Sequence, residues 1–255
     1  MGIDISNELL PPERFQIMNY SESRFKAIGK IHLDYFIGKL GIKPDADVLE
    51  IGSGNGRIAS TLTTYLNDGT YIGVDIMKPF VKWCNSAYRK YPNFNFKHIN
   101  VFNQKYNRFS FRRAESFRFP FEDNRFDFIY LTSVFTHMLE AEVDNYLSEI
   151  SRMLKQGGIS FITYFLINGV TQKLLDLELP NHKFVRCSKN SYTSNPSVPV
   201  SAMAFDETYI LSLYKKHKLV IDKDGIIYGK WRDPANMNSV IHNQDRVIAR
   251  KTGDS

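Results

Sequence analysis

Nine consecutive residues, Val48-Leu49-Glu50-Ile51-Gly52-Ser53-Gly54-Asn55-Gly56, run from apolar and acidic positions into a glycine-rich turn. Glycine lacks a Cβ and tolerates φ > 0, so such a turn lets backbone approach a ligand closely. Arg57-Ile58-Ala59-Ser60-Thr61-Leu62 can continue as a helix, whose first N–H groups face the same ligand. Asp75 ends a second apolar run, Tyr71-Ile72-Gly73-Val74, and a carboxylate there can accept both hydroxyls of a ribose. Asn100-Val101 ends a third run and offers an amide side chain and a backbone N–H to an adenine edge. His137 follows a fourth run, Phe126 to Leu131, and titrates near neutrality, as a general base must.

The glycine spacing narrows the ligand. A dinucleotide fingerprint needs G-x-G-x-x-G after the strand, but here Arg57 holds the third glycine's place, and Glu50 is foreign to that pattern. Glu50 with G-x-G-x-G resembles motif I of class I S-adenosylmethionine (SAM) methyltransferases. Asp75, Asn100-Val101, Phe126 to Leu131 and Met153-Leu154-Lys155-Gln156-Gly157-Gly158 extend the resemblance to the full motif set over residues 47–167. It implies SAM as cofactor and S-adenosylhomocysteine as product. The residues it points to are Glu50, Gly52, Ser53, Gly54, Gly56, Arg57, Asp75, Ile76, Asn100, Val101 and Leu131.

Ser133-Val134-Phe135-Thr136-His137-Met138 also looks like the S-V-F-T-H-M signature of a bacterial SAM-methyltransferase family that accompanies glycosyltransferases in surface-polysaccharide gene clusters. Pro11-Pro12-Glu13-Arg14, Tyr91-Pro92-Asn93-Phe94, Tyr106-Asn107, Trp231 and Gln244-Asp245 carry that likeness along nearly the whole chain. Two departures stand out. The family commonly has Asp at the place of Asn100, which implies a weaker or different adenine contact, and Cys at the place of Ser53, where the backbone makes the turn regardless.

Methyl transfer from a sulfonium is an in-line displacement, so alignment and exclusion of water dominate. An acceptor hydroxyl also needs a base, whereas a phosphate or carboxylate oxygen does not. His137 is the first candidate for that base; its alternative is a histidine that caps a helix or bonds a carbonyl. Tyr164, at the end of a fifth run, is a second catalytic and acceptor-binding candidate, with core packing as its alternative. Trp231, Gln244 and Asp245 are expected to bind the acceptor if the last strand is antiparallel and starts on that edge. No metal-ligand spacing is present, so no metal is expected.

Strand–helix alternation at this period implies an α/β fold: a single Rossmann-like domain with a mostly parallel seven-stranded sheet, helices on both faces and an antiparallel last strand. Residues 1–46 read as an arm and an amphipathic helix (21–40, with Phe25, Ile28, Ile31, Leu33, Phe36 and Leu40 apolar) covering the cofactor site. The catalytic domain then spans 47–255. Expected helices are 57–66, 79–90, 140–154 and 206–217, the last capped by Asp206; Gln156-Gly157-Gly158 should stop the third. Residues 103–118 read as a long loop with arginines among aromatics, and 180–205 as a mobile polar cover.

The 255 residues, 43% hydrophobic, suffice for a sizeable core. The longest apolar run is far short of the roughly 20 residues that span a bilayer. Two cysteines give no disulfide framework and suit a reducing cytoplasm. Met1-Gly2-Ile3-Asp4-Ile5-Ser6 fits a myristoylation pattern, for which chance is the simpler account. A net charge of +6 permits an acidic partner such as a phosphorylated substrate. The resemblance therefore implies a SAM-dependent O-methyltransferase acting on a small-molecule or glycan acceptor, phosphorylated or not. The alternatives are an RNA methyltransferase, disfavoured because no Asn-Pro-Pro-Tyr-like tetrapeptide follows the fourth strand, and a SAM-binding protein without catalysis.

Overall fold

The computed structural model describes residues 7–16, 21–178, 183–232 and 243–253. The Met1-Gly2 pattern lies outside them, as do residues 180–182 of the polar segment. Packing divides the chain into two units, one holding the chain up to Ile99 with Phe126–Phe128, the other Asn100–Arg125 and everything from Ile129 onward. The described residues of the arm and the first helix group with the first three strands in the first unit.

In the first unit, α1 (Glu22–Gly38) starts at Ser21, whose Oγ accepts from Arg24 N at 3.3 Å. It buries Phe25, Ile28, Leu33 and Phe36, while Ile31 is only half-buried. Then β1 (Val48–Ile51), β2 (Tyr71–Asp75) and β3 (Phe94–His98) run parallel, with Val48 opposite Tyr71 and Asp75 opposite His98. β1 and β2 are buried along their whole length, as parallel strands covered on both faces must be.

The helix after the glycine turn is shorter than its apolar pattern suggests: α2 covers only Ala59–Leu62. Ser60, Thr61, Thr63 and Thr64 each donate a hydroxyl to the carbonyl three residues back, at 2.7–2.8 Å. Such side chains compete with the helical ladder. α3 (Lys78–Ala87) has Pro in its first turn and buries Val81 and Cys84.

The second unit continues from β4 (Phe126–Leu131), which it shares with the first, through α4 (Glu140–Met153) to β5 (Leu154–Tyr164). Gly157 and Gly158 lie inside β5, with Gly157 at φ +75°, instead of ending the helix. After β6 (Leu166–Ile167) and α5 (Gly169–Asp176), the polar segment is not a bare loop. β7 (Val185–Arg186), β8 (Ser191–Thr193) and β9 (Met203–Asp206) join β6 in a small sheet of order β6-β9-β8-β7. Tyr192, Ala204 and Phe184 pack there against Phe165, Ile167 and Trp231, so alternate apolar positions among the polar ones find a core of their own. Asp206 precedes α6 (Glu207–Lys216) without bonding its N–H groups; its carboxylate takes Arg186 and Tyr192 instead.

β10 (Leu219–Ile227) and β11 (Asp245–Lys251) complete the main sheet, whose order is β10-β11-β5-β4-β1-β2-β3. β11 is antiparallel to both neighbours, as the sequence predicts.

Candidate active site

The glycine turn follows β1 directly. Gly52, Gly54 and Gly56 all have positive φ, between +51° and +83°. At Gly56 a Cβ would stand 2.8 Å from the Tyr88 hydroxyl. That hydroxyl donates to Gly56 O at 2.8 Å, and the Cys84 thiol donates to Gly54 O at 3.6 Å. One face of α3 and its cap therefore braces the turn, a role the sequence did not announce. Asn55 is buried and donates to Phe15 O at 3.1 Å, while the Phe15 ring packs edge-on against Phe80 at 5.9 Å, so the arm is tied to this turn.

Asp75 ends β2, nearly buried. One carboxylate oxygen accepts from Gly54 N at 2.7 Å, the other from Met77 N at 2.7 Å. Burial pushes its pKa up, and the N–H groups of Met77 and Gly54 oppose that. A carboxylate has about four lone-pair directions, so the N–H groups of Gly54, Met77 and Ile76 leave it room to accept from a ribose. Ile76 follows, half-buried, its carbonyl bonded by His98. Glu50 is buried and accepts the Tyr71 hydroxyl at 2.5 Å. Ser53 Oγ is buried without a hydrogen-bond partner among the described residues. A buried hydroxyl left this way calls for an additional polar partner. Braced backbone at positive φ, a partly used carboxylate and an orphaned hydroxyl all fit an adenosyl ligand with a charged amino-acid tail. Arg57 is half-buried at the end of the turn.

In the second unit, Asn107 organises Asn100 and Val101: its amide donates to Asn100 Oδ1 at 3.0 Å and to Val101 O at 2.9 Å. Asn100 is exposed, Val101 and Leu131 buried. Beyond β4, Ser133 takes a left-handed backbone, φ +58°, which costs a non-glycine residue of order 1 kcal/mol. Its N–H donates to Thr163 Oγ1 at 2.8 Å and its hydroxyl to Gln244 Oε1 at 3.0 Å, which hold it there.

His137 closes a single helical turn, Phe135–His137. Its Nδ1 lies 2.8 Å from Val200 O, which only an N–H can satisfy, so Nε2 carries the lone pair. Tyr106 Oη lies 3.4 Å from Nε2, and the two rings meet edge-to-face at 5.3 Å. Burial pulls the imidazole below its ordinary value; the bond to Val200 works the other way. Neighbouring Thr136 Oγ1 is buried and also without a partner among the described residues. Neither Tyr106 nor Thr136 is marked in the sequence as part of a site.

Three other expectations are not met. Tyr164 is fully buried and shares its hydroxyl with Tyr214 at 2.9 Å, and burial drives its pKa well up. Asp245 is fully buried and saturated by Leu166 N, Gly229 N, Trp231 Nε1 and the Arg232 guanidinium, at 2.7–3.2 Å. Trp231 is buried between that carboxylate and the rings of Phe165 and Phe184. Gln244 alone of that set keeps a place beside Ser133.

Residues 49–162 match the family model described as a methyltransferase domain. A sterol 24-C-methyltransferase of Schizosaccharomyces pombe is 26% identical over 152 residues, which is 60% of this chain and 35% of that protein. The aligned segments span between 25% and 39% of the length of the curated relatives they match. Among solved structures, a SAM-dependent methyltransferase from Methanosarcina mazei superposes with a TM-score of 0.56 at 20% identity, covering 86% of this chain and 98% of that one. A Burkholderia thailandensis 1,6-didemethyltoxoflavin-N1-methyltransferase, bound to its substrate and S-adenosylhomocysteine, superposes with a TM-score of 0.56 at 17% identity, covering 89% and 80%. At these identities the structural likeness shows the fold.

Proposed function

We propose that the chain is a class I SAM-dependent methyltransferase, on the likeness of residues 49–162 to a methyltransferase domain, and that it methylates an oxygen of a sugar, a glycan precursor or a phosphate-type acceptor. SAM supplies an electrophilic methyl group and leaves as a neutral thioether. Asp75 holds the ribose hydroxyls; Gly52, Ser53, Gly54 and Gly56, with Glu50, Arg57 and Ile76 beside them, shape the turn for the amino-acid tail. Asn100, Val101 and Leu131 serve the adenine and methionine parts. The single observation that supports the reading of a proton-abstracting site is the 2.8 Å approach of His137 Nδ1 to Val200 O, which takes the ring proton on Nδ1, while burial disfavours the charged ring and leaves the lone pair on Nε2, beside Tyr106 Oη at 3.4 Å. Tyr106 orients that ring, and Gln244 holds Ser133 where the acceptor passes. The segment from Val198 to Ser201, which also takes Lys105 Nζ on Ser201 O at 3.4 Å, covers the base.

The glycan class of acceptor rests on the S-V-F-T-H-M resemblance, which is an association. It is tested by labelled-methyl transfer from SAM to cell-surface glycan extracts, sugar phosphates, structured RNA and lipid extracts in parallel. Label in the sugar or sugar-phosphate fractions, as base-stable O-methyl, supports it. Label confined to RNA, or to a carbon of a lipid acceptor as the name of the yeast relative suggests for that protein, overturns the acceptor class.

A further inference from the structure

A loop of the second unit reverses the usual arrangement of apolar and polar side chains. Ser110 points inward and is buried, its Oγ donating to Asn100 O at 2.7 Å and accepting from Arg112 N at 3.2 Å. Its neighbours Phe109 and Phe111 are 93% and 99% exposed. In an extended segment alternate side chains face opposite ways, so pinning Ser110 inward holds both rings outward.

The charge around them has one sign. Residues 105–118 hold five cations (Lys105, Arg108, Arg112, Arg113, Arg118) and one acid, Glu115. Arg118 reaches Asp123 at 3.4 Å, but Arg108, Arg112 and Arg113 form no ion pair among the described residues. Arg108 donates to Gln104 O, and Arg113 lies over the Phe102 ring. An open groove of about 360 Å³ beside Phe111 is lined by Arg112, Arg113, Ser116, Phe117 and Arg118.

We propose that this loop docks the protein on an anionic bilayer, with Phe109 and Phe111 entering the boundary between headgroups and acyl chains and the arginines meeting lipid phosphates. Exposure separates this from nucleic acid. A ring that stacks a base lies flat on its own protein with one face covered. Rings open to solvent on both faces and at the edge suit a medium that surrounds them. The inference is independent of the acceptor proposed above.

The test is co-sedimentation of the full chain with vesicles of phosphatidylcholine alone and of equimolar phosphatidylcholine and phosphatidylglycerol, at low and high salt. Binding is expected to the anionic vesicles only and to weaken with salt. Replacing either phenylalanine by serine should lower the partition coefficient about tenfold, and each of Arg112→Gln and Arg113→Gln about fivefold. F109S/F111S should melt like the parent, because the rings bury nothing. Equal partition of parent and F109S/F111S overturns the proposal. So does retention of single-stranded RNA with no vesicle binding, or self-association that F109S/F111S abolishes while vesicles are ignored.

Discussion

A neutral imidazole with one nitrogen occupied is a base only if the other meets a proton. His137→Ala should therefore lower turnover by about 10²–10⁴ while leaving SAM affinity nearly unchanged. Unchanged turnover with the true acceptor would assign His137 to structure and point to an oxygen already ionised. The pH dependence has a definite sign. Burial holds the folded pKa below the ordinary 6.5, so kcat/KM should stay level down through pH 6.5 and fall only below it. Between the folded pKa and 6.5 the unfolded chain binds more protons at this residue, so its contribution makes stability fall as pH falls through that window, with no effect above it. Asp75→Ala removes the ribose acceptor and strands the N–H groups of Gly54 and Met77. SAM affinity should drop by about 1–3 kcal/mol, read by titration calorimetry. Tyr164→Phe should cost about 1 kcal/mol of stability with little change in kcat, since its hydroxyl serves Tyr214 in the core; a loss of kcat at an unchanged melting temperature would restore its catalytic role. The positions of Asp75 and His137, at the end of one strand and just after another, were legible because strand spacing sets them. The surroundings of Tyr106 and Thr136 were not, although both lie in motifs that carry the resemblance, because they depend on how distant segments fold back, and neither was the contact of Tyr88 with Gly56.

At the level of elements, hydrophobic periodicity located the seven strands of the main sheet and the long helices, since those segments bury one face or both. It misjudged the segments where side-chain hydrogen bonds decide. α2 is cut short by four hydroxyl groups that bond back to the chain. The polar stretch after α5 is ordered because Ser191, Tyr192 and Thr193 can be buried once paired. Strand-end acids were misread for a related reason. Asp245 sits at the start of β11 as expected, but two elements supply donors to it from places distant in sequence. It is the knot between β6, β11 and residues 228–232. Asp245→Ala should destabilise the protein by about 3–5 kcal/mol, because it leaves the Arg232 guanidinium buried and uncompensated. Thermal unfolding checks this. A variant that melts normally but has a raised KM for the acceptor would return Asp245 to the binding site.

For the molecule as a whole, the order of strands and the direction of the last one follow from connection rules that a sequence obeys, whereas the division into two units does not announce itself. β4 changes unit partway along a single strand, with Phe126–Phe128 in one and Ile129–Leu131 in the other. At this scale the proposed ligand class rests on Arg57 in place of a third glycine and on Glu50 before the first. That distinction is measurable on the intact chain. A ligand that binds only the folded state stabilises it by RT ln(1 + [L]/Kd), about 2.7 kcal/mol at a hundredfold excess over Kd. In a protein of this size each kcal/mol moves the melting temperature by about 2–4 °C, so saturating SAM or S-adenosylhomocysteine should raise it by about 5–10 °C. A nicotinamide dinucleotide at the same concentration should leave it unmoved, since Gly56 followed by Arg57 leaves no third glycine for close packing of that helix. The Asp75→Ala variant should lose part of the SAM-induced rise without lowering the unliganded midpoint to the same extent. A rise with the dinucleotide and none with SAM would overturn the cofactor assignment and every role derived from it.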